Sequence, residues 1–299
     1  MKILLLGKNG QVGWELHRSL SSLGEVIALD RHSEVFCGDL KNLAGLEKSI
    51  LEIQPDIIVN AAAYTAVDKA ESDSSMADLV NHKALQVIAS SAKKMDAMLV
   101  HYSTDYVFNG KGVTPWKESD PVEPLNIYGK TKLLGESAVI ASGCKHLIFR
   151  TSWVYASRGS NFVKTMMRLA REREELSIVA DQFGAPTGAE LIADVTALAI
   201  SRPQILSNGI YHLTASGVTT WYEYANFIFE LMKANGCSIK ISSDRVFPIN
   251  SEQFITPAMR PLNSRLNCKK IEEQLLLNLP DWKIGVERAV SEILEQFNA

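Results

Sequence analysis

Lys2-Ile3-Leu4-Leu5-Leu6-Gly7-Lys8-Asn9-Gly10-Gln11-Val12-Gly13 decides how the rest of the chain is read. Its first five residues are a short apolar run bounded by glycine, the pattern of a parallel strand buried on both faces. Gly7, Gly10 and Gly13 allow a tight turn and a close approach of backbone N–H groups to a pyrophosphate. Val12, Leu16, Leu20 and Leu23 then recur at helical spacing, and Gly24 is expected to stop that helix. Strand, glycine turn and helix in this order give the context of a dinucleotide site, with Gly-x-x-Gly-x-x-Gly spacing. Gly7, Asn9, Gly10, Gln11, Val12 and Gly13 are therefore candidate cofactor-binding residues, and the plainer reading, a glycine turn without a ligand, is the weaker one.

Working outward, Val26-Ile27-Ala28-Leu29 reads as a second strand that ends in Asp30-Arg31. A carboxylate there can accept from the ribose hydroxyls of NAD, and a neighbouring arginine can hold the 2′-phosphate of NADP, so both cofactors are expected to serve. A solvated charge pair is the bland alternative. Asp39, followed by Leu40, either caps the helix carrying Leu43, Leu46, Ile50 and Ile53 or approaches the adenine; capping is the safer reading. Asp56 to Asn60 is another buried strand. The small residues after it, Ala62 and Ala63 before Tyr64 and Thr65, leave room for a flat cofactor. Ser75 to Lys94 is expected to form one long helix. Met98 to Tyr102 is expected to form a strand with Ser103-Thr104-Asp105 at its end; Thr104 could hydrogen-bond a substrate carbonyl, although such residues also cap turns.

Tyr128 and Lys132 lie one turn apart on a helix whose apolar residues include Leu133, Val139 and Ile140. A phenol titrates near ~10, and an ammonium beside it would lower that value toward neutrality, making the tyrosine an acid–base catalyst. Tyr-x-x-x-Lys is common by chance; its weight comes from the upstream dinucleotide turn and the Thr104 strand end. Beyond Leu147-Ile148-Phe149-Arg150, a further strand, the pattern changes. Ile178 to Gln182 reads as a short strand. Glu190 to Ile200 and Ile210 to Leu213 read as a helix and a strand returning to the sheet. Thr220-x-x-Glu223 reads as a capping box, Thr256 to Asn267 as an irregular loop, and two helices close the chain.

The 299 residues are 46% hydrophobic and 22% charged with net charge −3, which gives no support for binding a nucleic acid polymer or a membrane surface. No apolar run reaches the ~18 residues of a membrane span. Four separated cysteines, without a Cys-x-x-Cys pair, read as free thiols in a reducing, cytoplasmic setting. The six histidines show no metal-ligand spacing, so no catalytic zinc is expected.

Taken together, the motifs resemble the extended short-chain dehydrogenase/reductase superfamily. Ala62 to Glu71, Ser103 to Phe108, Tyr128 to Lys132, Arg150 to Tyr155 and Arg260 to Ser264 narrow the resemblance to the dTDP-4-dehydrorhamnose reductase family, across nearly the whole chain. Lys8 is a departure, since many superfamily members keep a small residue there. The resemblance implies an α/β fold, a Rossmann-type doubly wound parallel sheet with a smaller α/β substrate-binding domain. The expected division is residues 1–150 plus about 190–216 for NAD(P), and about 151–189 and 217–299 for substrate. It implies NADPH- or NADH-dependent reduction of the C4 ketone of dTDP-4-dehydro-β-L-rhamnose, the last step in supplying L-rhamnose for bacterial surface polysaccharides such as O-antigen. Tyr128 would protonate the oxyanion, Lys132 would lower the tyrosine pKa and bind the nicotinamide ribose, and Thr104 would orient the carbonyl. Thr65, Val67, Asp105 and Trp153 would contact the nucleotide sugar. A magnesium requirement is also implied, with no motif to locate the ion. The sequence leaves the oligomeric state open, with a homodimer as the expectation. A rival, the NADP-binding regulatory β subunit of methionine adenosyltransferase, resembles these reductases, but the complete Thr104, Tyr128 and Lys132 set favours an enzyme. An epimerase acting on another nucleotide sugar is a further rival. A dehydratase would carry an Asp-Glu pair after the threonine; here Asp105 is followed by Tyr106.

Overall fold

The early apolar runs become the strands β1 Lys2–Leu6, β2 Glu25–Leu29, β3 Ile57–Asn60, β4 Met98–Thr104 and β5 Lys145–Thr151. In the computed structural model, which describes residues 1–298, they join the edge strand Gly209–His212 in a six-stranded sheet. The order is edge strand-β5-β4-β3-β1-β2, and every neighbouring pair is parallel. The direction of winding reverses between β1 and β3, which opens a crevice at the carboxyl ends of the strands.

The helices are α1 Gln11–Leu20, α2 Leu43–Ile53, α3 Val67–Ser72, α4 Ser74–Asp78, α5 Ala84–Lys94, α6 Ile127–Ser142, α7 Phe162–Glu172, α8 Ala189–Ser201, α9 Trp221–Ala234, α10 Lys269–Leu275 and α11 Trp282–Asn298. Side chains alternate along β1. Ile3 and Leu5 join a core with Leu16 of α1 and Ile192 of α8; Leu4 and Leu6 join the opposite core with Ile50 of α2 and Ile88 of α5. Both faces are covered, which is why the run is apolar at every position. A third core gathers Met167 of α7, Tyr224 and Ile228 of α9, and Trp282 and Val286 of α11. The predicted capping box is formed: Glu223 N donates to Thr220 Oγ1 at 3.1 Å and Thr220 N to Glu223 Oε2 at 3.0 Å.

Several local expectations are corrected. The single helix over Ser75 to Lys94 is α4, a π-helical turn at Leu79–Lys83, and α5. The wider turn brings the Asn81 carbonyl so close to α6 that a Cβ on Gly135 would lie 2.2 Å from it. α1 ends at Leu20, before Gly24; that glycine is needed instead because a Cβ there would lie 2.1 Å from the Met1 carbonyl. The strand expected over Ile178 to Gln182 is Leu176–Val179, paired with Val246–Ile249.

Candidate active site

The glycine turn fits a dinucleotide by the space its backbone leaves. Gly7 has φ +90°, and a Cβ there would sit 2.7 Å from Ala62 N. A Cβ on Gly13 would sit 2.0 Å from Gly7 O. The turn and the loop after β3 therefore touch through backbone alone. Gly10 caps α1 without a side chain, so the first-turn N–H groups keep no helical partner and favour an anion. Asn9 donates from Nδ2 to Asp30 Oδ2. The His32 amide donates to Asp30 Oδ1 at 2.8 Å and, as the main cause, holds that carboxyl below its usual range. Arg31 is exposed, with Nε donating to His32 Nε2 at 3.0 Å. Gln11 accepts at Oε1 from Asn161 Nδ2 at 2.8 Å, and Val12 packs on the sheet core. Asp39 is not the cap of α2. Asn42 takes that place, accepting the Gly45 amide at 3.0 Å, while Asp39 accepts from Lys41 N in the preceding turn. Leu40 puts its side chain in the core.

Next to this crevice β4 and α6 bring Thr104 and Tyr128 together. Asn126 caps α6 by accepting the Gly129 amide at 2.8 Å, which sets where the helix starts and so where Tyr128 sits. The Thr104 hydroxyl is close enough to the Tyr128 phenol to act on its titration, and it donates to Asp105 Oδ1 at 3.1 Å. Enclosure pushes the Tyr128 phenol well above its usual range, with Thr104 acting in the opposite direction and Asp105 adding to the rise. Burial also pushes the Asp105 carboxyl up to about 7, while the Ser264 and Thr104 hydroxyls pull it down.

Lys132 departs from expectation. It shares the helix with Tyr128, but its ammonium nitrogen is turned toward β4, 2.5 Å from Tyr102 O and 3.2 Å from His101 Nε2. The Tyr128 phenol is raised rather than lowered, with enclosure as the main cause. Burial brings the lysine itself down to about 8. His101 was not singled out by the sequence, because it meets Lys132 only across the packing of β4 on α6. Asn81 was missed for a similar reason. From the π turn its Oδ1 accepts Tyr64 N at 2.9 Å and its Nδ2 donates to Tyr64 O at 3.1 Å and Thr131 Oγ1 at 3.2 Å, tying the loop after β3 to α6.

On the other wall, Thr65 is exposed and Val67 opens α3. Trp153 has φ +49° and stacks on Trp221 with ring centroids 3.6 Å apart. Arg260 reaches back from its loop to Asp68 Oδ2 at 2.6 Å and Tyr106 OH at 3.4 Å, and Tyr106 packs edge-on against Tyr128 at 5.6 Å. Thr65 and Trp153 have no direct hydrogen bond to the Thr104–Tyr128 pair among the described residues. Among the described residues no three His, Cys, Asp or Glu side chains group as a metal site. No helix among them is long and apolar enough to cross a membrane.

The arrangement has close relatives. The RmlD substrate binding domain family matches residues 1–295. A dTDP-4-dehydrorhamnose reductase of Escherichia coli K12 is 53% identical over 297 residues, 98% of each chain. One from Burkholderia thailandensis is 46% identical over 302 residues, covering 99% of this chain and all of the relative. Among solved structures, the dTDP-4-dehydrorhamnose reductase of Clostridium acetobutylicum superposes with TM-score 0.88 at 36% identity over the full length of both chains. That of Bacillus anthracis, solved in complex with NADP, superposes with TM-score 0.86 at 35% identity, covering 97% of this chain and 99% of that one. Matched over residues 1–295 by the family model and over 98% of its length by a relative of 53% identity, the chain belongs to the RmlD substrate binding domain family, that of the dTDP-4-dehydrorhamnose reductases.

Proposed function

We propose that this chain reduces the C4 ketone of dTDP-4-dehydro-β-L-rhamnose to dTDP-β-L-rhamnose with NADPH or NADH, the final step of dTDP-L-rhamnose supply for surface polysaccharide. The observation that carries the reading is the hydroxyl pair Thr104–Tyr128 beside a dinucleotide turn, in a chain 53% identical to a dTDP-4-dehydrorhamnose reductase. The cofactor supplies hydride to the ketone carbon. Gly7, Asn9, Gly10, Gln11, Val12, Gly13, Asp30, Arg31, Asp39, Leu40, Ala62, Ala63, Tyr64 and Lys132 hold it. Thr104 donates to the carbonyl oxygen and fixes its direction. Tyr128 delivers the proton to that oxygen as charge develops. A raised phenol pKa suits this direction of reaction, because the tyrosine waits with its proton on at neutral pH. Lys132, one turn along the helix, offsets the phenolate charge left behind. Thr65, Val67, Asp105 and Trp153 hold the sugar nucleotide.

The reading assigns the cofactor to residues 1–150 with about 190–216, and substrate to about 151–189 with 217–299. The separate core formed by α7, α9 and α11 supports that division. It places the enzyme in the cytoplasm, as a homodimer; four free cysteines are in keeping with a reducing compartment.

The test is loss of NADPH or NADH absorbance, with substrate made in situ by the upstream dehydratase and epimerase and the product identified as dTDP-L-rhamnose. Tyr128→Phe should keep cofactor affinity and lose about 10²- to 10⁴-fold in kcat. Unchanged turnover in that variant would sink the proton-donor role, and tight NADPH binding without turnover by the parent chain would favour a regulatory binding protein.

A further inference from the structure

Asn161 opens α7, yet its side chain reaches across to the glycine turn. Its Oδ1 accepts the Lys164 amide at 3.2 Å and so caps the helix. Its Nδ2 donates to Ala156 O at 2.7 Å and to Gln11 Oε1 at 2.8 Å, with a longer contact to Arg158 O at 3.4 Å. These partners settle which end of the amide is which. A backbone N–H only donates and a carbonyl only accepts. The Asn161 oxygen must therefore face Lys164, and its NH₂ must face Ala156 and Gln11. The Gln11 amide is turned in consequence. Its oxygen meets Asn161, and its NH₂ is left at the other end, without a hydrogen-bond partner among the described residues.

The loop over residues 156–161 is folded around that side chain. At Gly159, with φ +76°, a Cβ would lie 3.3 Å from Gln11 Cγ. Arg158 lays its guanidinium on the Trp14 ring, 3.6 Å from the centroid. Trp14 lies three residues after Gln11, on the same face of α1. Lys164 Nζ donates to Ser157 O at 3.2 Å and braces the loop from α7. A segment from the second half of the chain thus grips the first turn of α1. That turn has no side-chain cap, and its free N–H groups favour an anion.

We propose that Asn161 is a positioning residue for the cofactor and acts through Gln11. It turns the Gln11 amide so that the NH₂ end is kept as a donor for the dinucleotide pyrophosphate. An amide free to turn would present its oxygen as readily, and an oxygen repels a phosphate. The inference rests on the dinucleotide reading of the turn and is independent of which sugar nucleotide is reduced.

The test is the NADPH affinity of the full chain, measured by fluorescence titration without substrate. Gln11→Met removes the donor and should raise the Kd about tenfold. Gln11→Glu keeps an acceptor for Asn161 but sets a carboxylate oxygen where the NH₂ stood, and should raise the Kd further. Asn161→Ser keeps an oxygen for the Lys164 amide but is too short to reach Gln11. It should raise the Kd about three- to tenfold in the parent chain and leave it unchanged in the Gln11→Met background. An equal loss in both backgrounds would refute action through Gln11, because a loosened loop weakens binding whatever stands at position 11. Parent-like affinity in Gln11→Glu would overturn the proposal outright. That variant leaves the cap of α7 in place, so it decides even if Asn161→Ser does not fold. Failure of the parent chain to bind NADPH would instead remove the dinucleotide reading, and the proposal with it.

Discussion

Two arginine–carboxylate pairs bracket the Thr104 strand end, and both close at 2.6 Å. Arg150–Glu136 lies inside, with side chains 3% and 1% exposed, and touches Ser103 through the Glu136 carboxylate. Arg260–Asp68 lies at the rim, 23% and 41% exposed, and touches Tyr106. Between them Asp105 is a third buried carboxyl, and among the described residues no cation pairs with it and its Oδ2 has no hydrogen-bond partner. Equal distances here conceal unequal energetics. Separating the rim pair returns two charges to water. Breaking the inner pair strands a charge where solvent does not reach. The inner pair is bidentate, with Nε–Oε1 at 2.9 Å, and ties β5 to the helix that carries Tyr128. The rim pair ties a loop to α3 and can rearrange.

The widest separation between the two should come from Arg150→Met. It leaves Glu136 buried with only the Ser103 hydroxyl, and should cost about 3–5 kcal/mol in urea unfolding. Adding Glu136→Leu should restore much of that loss, since neither charge is then stranded. If the double variant is no more stable than the single one, the pair contributes more than charge compensation and the contrast with the rim fails.

Asp105 tests the middle case by pH. Burial pushes its folded-state value up to about 7, against ~3.9 for an unfolded aspartate. The folded chain therefore binds this proton more tightly. That contribution is fully present below pH ~4 and is lost as pH rises toward 7, with a slope of at most ~1.4 kcal/mol per pH unit. Asp105→Asn removes the slope, so the variant should gain on the parent as unfolding is measured from pH 5 to pH 7. Parallel pH curves for the two proteins would show that burial does not hold the Asp105 proton, and the middle case would fail.

What the sequence disclosed follows the range of the interactions. β1, β3, β4 and β5 were legible because a parallel strand covered on both faces must be apolar throughout, and the Thr220–Glu223 box because capping is local. Tyr128 and Lys132 were legible as a pair on one helix face. The lysine's actual partners were not, since His101 and Tyr102 reach it from a strand 31 and 30 residues away. The break at Leu79–Lys83 was hidden because a π turn leaves the apolar stripe almost unchanged while shifting which residue, here Asn81, faces α6. Asp39 looked like the cap of α2 by type, but Asn42 stands at the right distance from Gly45. Arg260 was visible within a family-like stretch, yet its pairing with Asp68 spans 192 residues and no local pattern encodes it.

The rim pair gives the smallest expected effect, and it sharpens the comparison from the other side. Asp68→Asn keeps the shape and an acceptor for the Ala258 amide, now 3.2 Å from Asp68 Oδ1, and removes only the charge. A pair this exposed should lose no more than about 1 kcal/mol in urea unfolding. Most of that loss should disappear in 1 M salt, where the screening length falls to about 3 Å. The loss from Arg150→Met should persist at the same salt, because ions do not reach the inner pair. A salt-independent loss in Asp68→Asn as large as that of Arg150→Met would mean that the Arg260 loop is held as rigidly as the sheet, and exposure would no longer separate the two pairs.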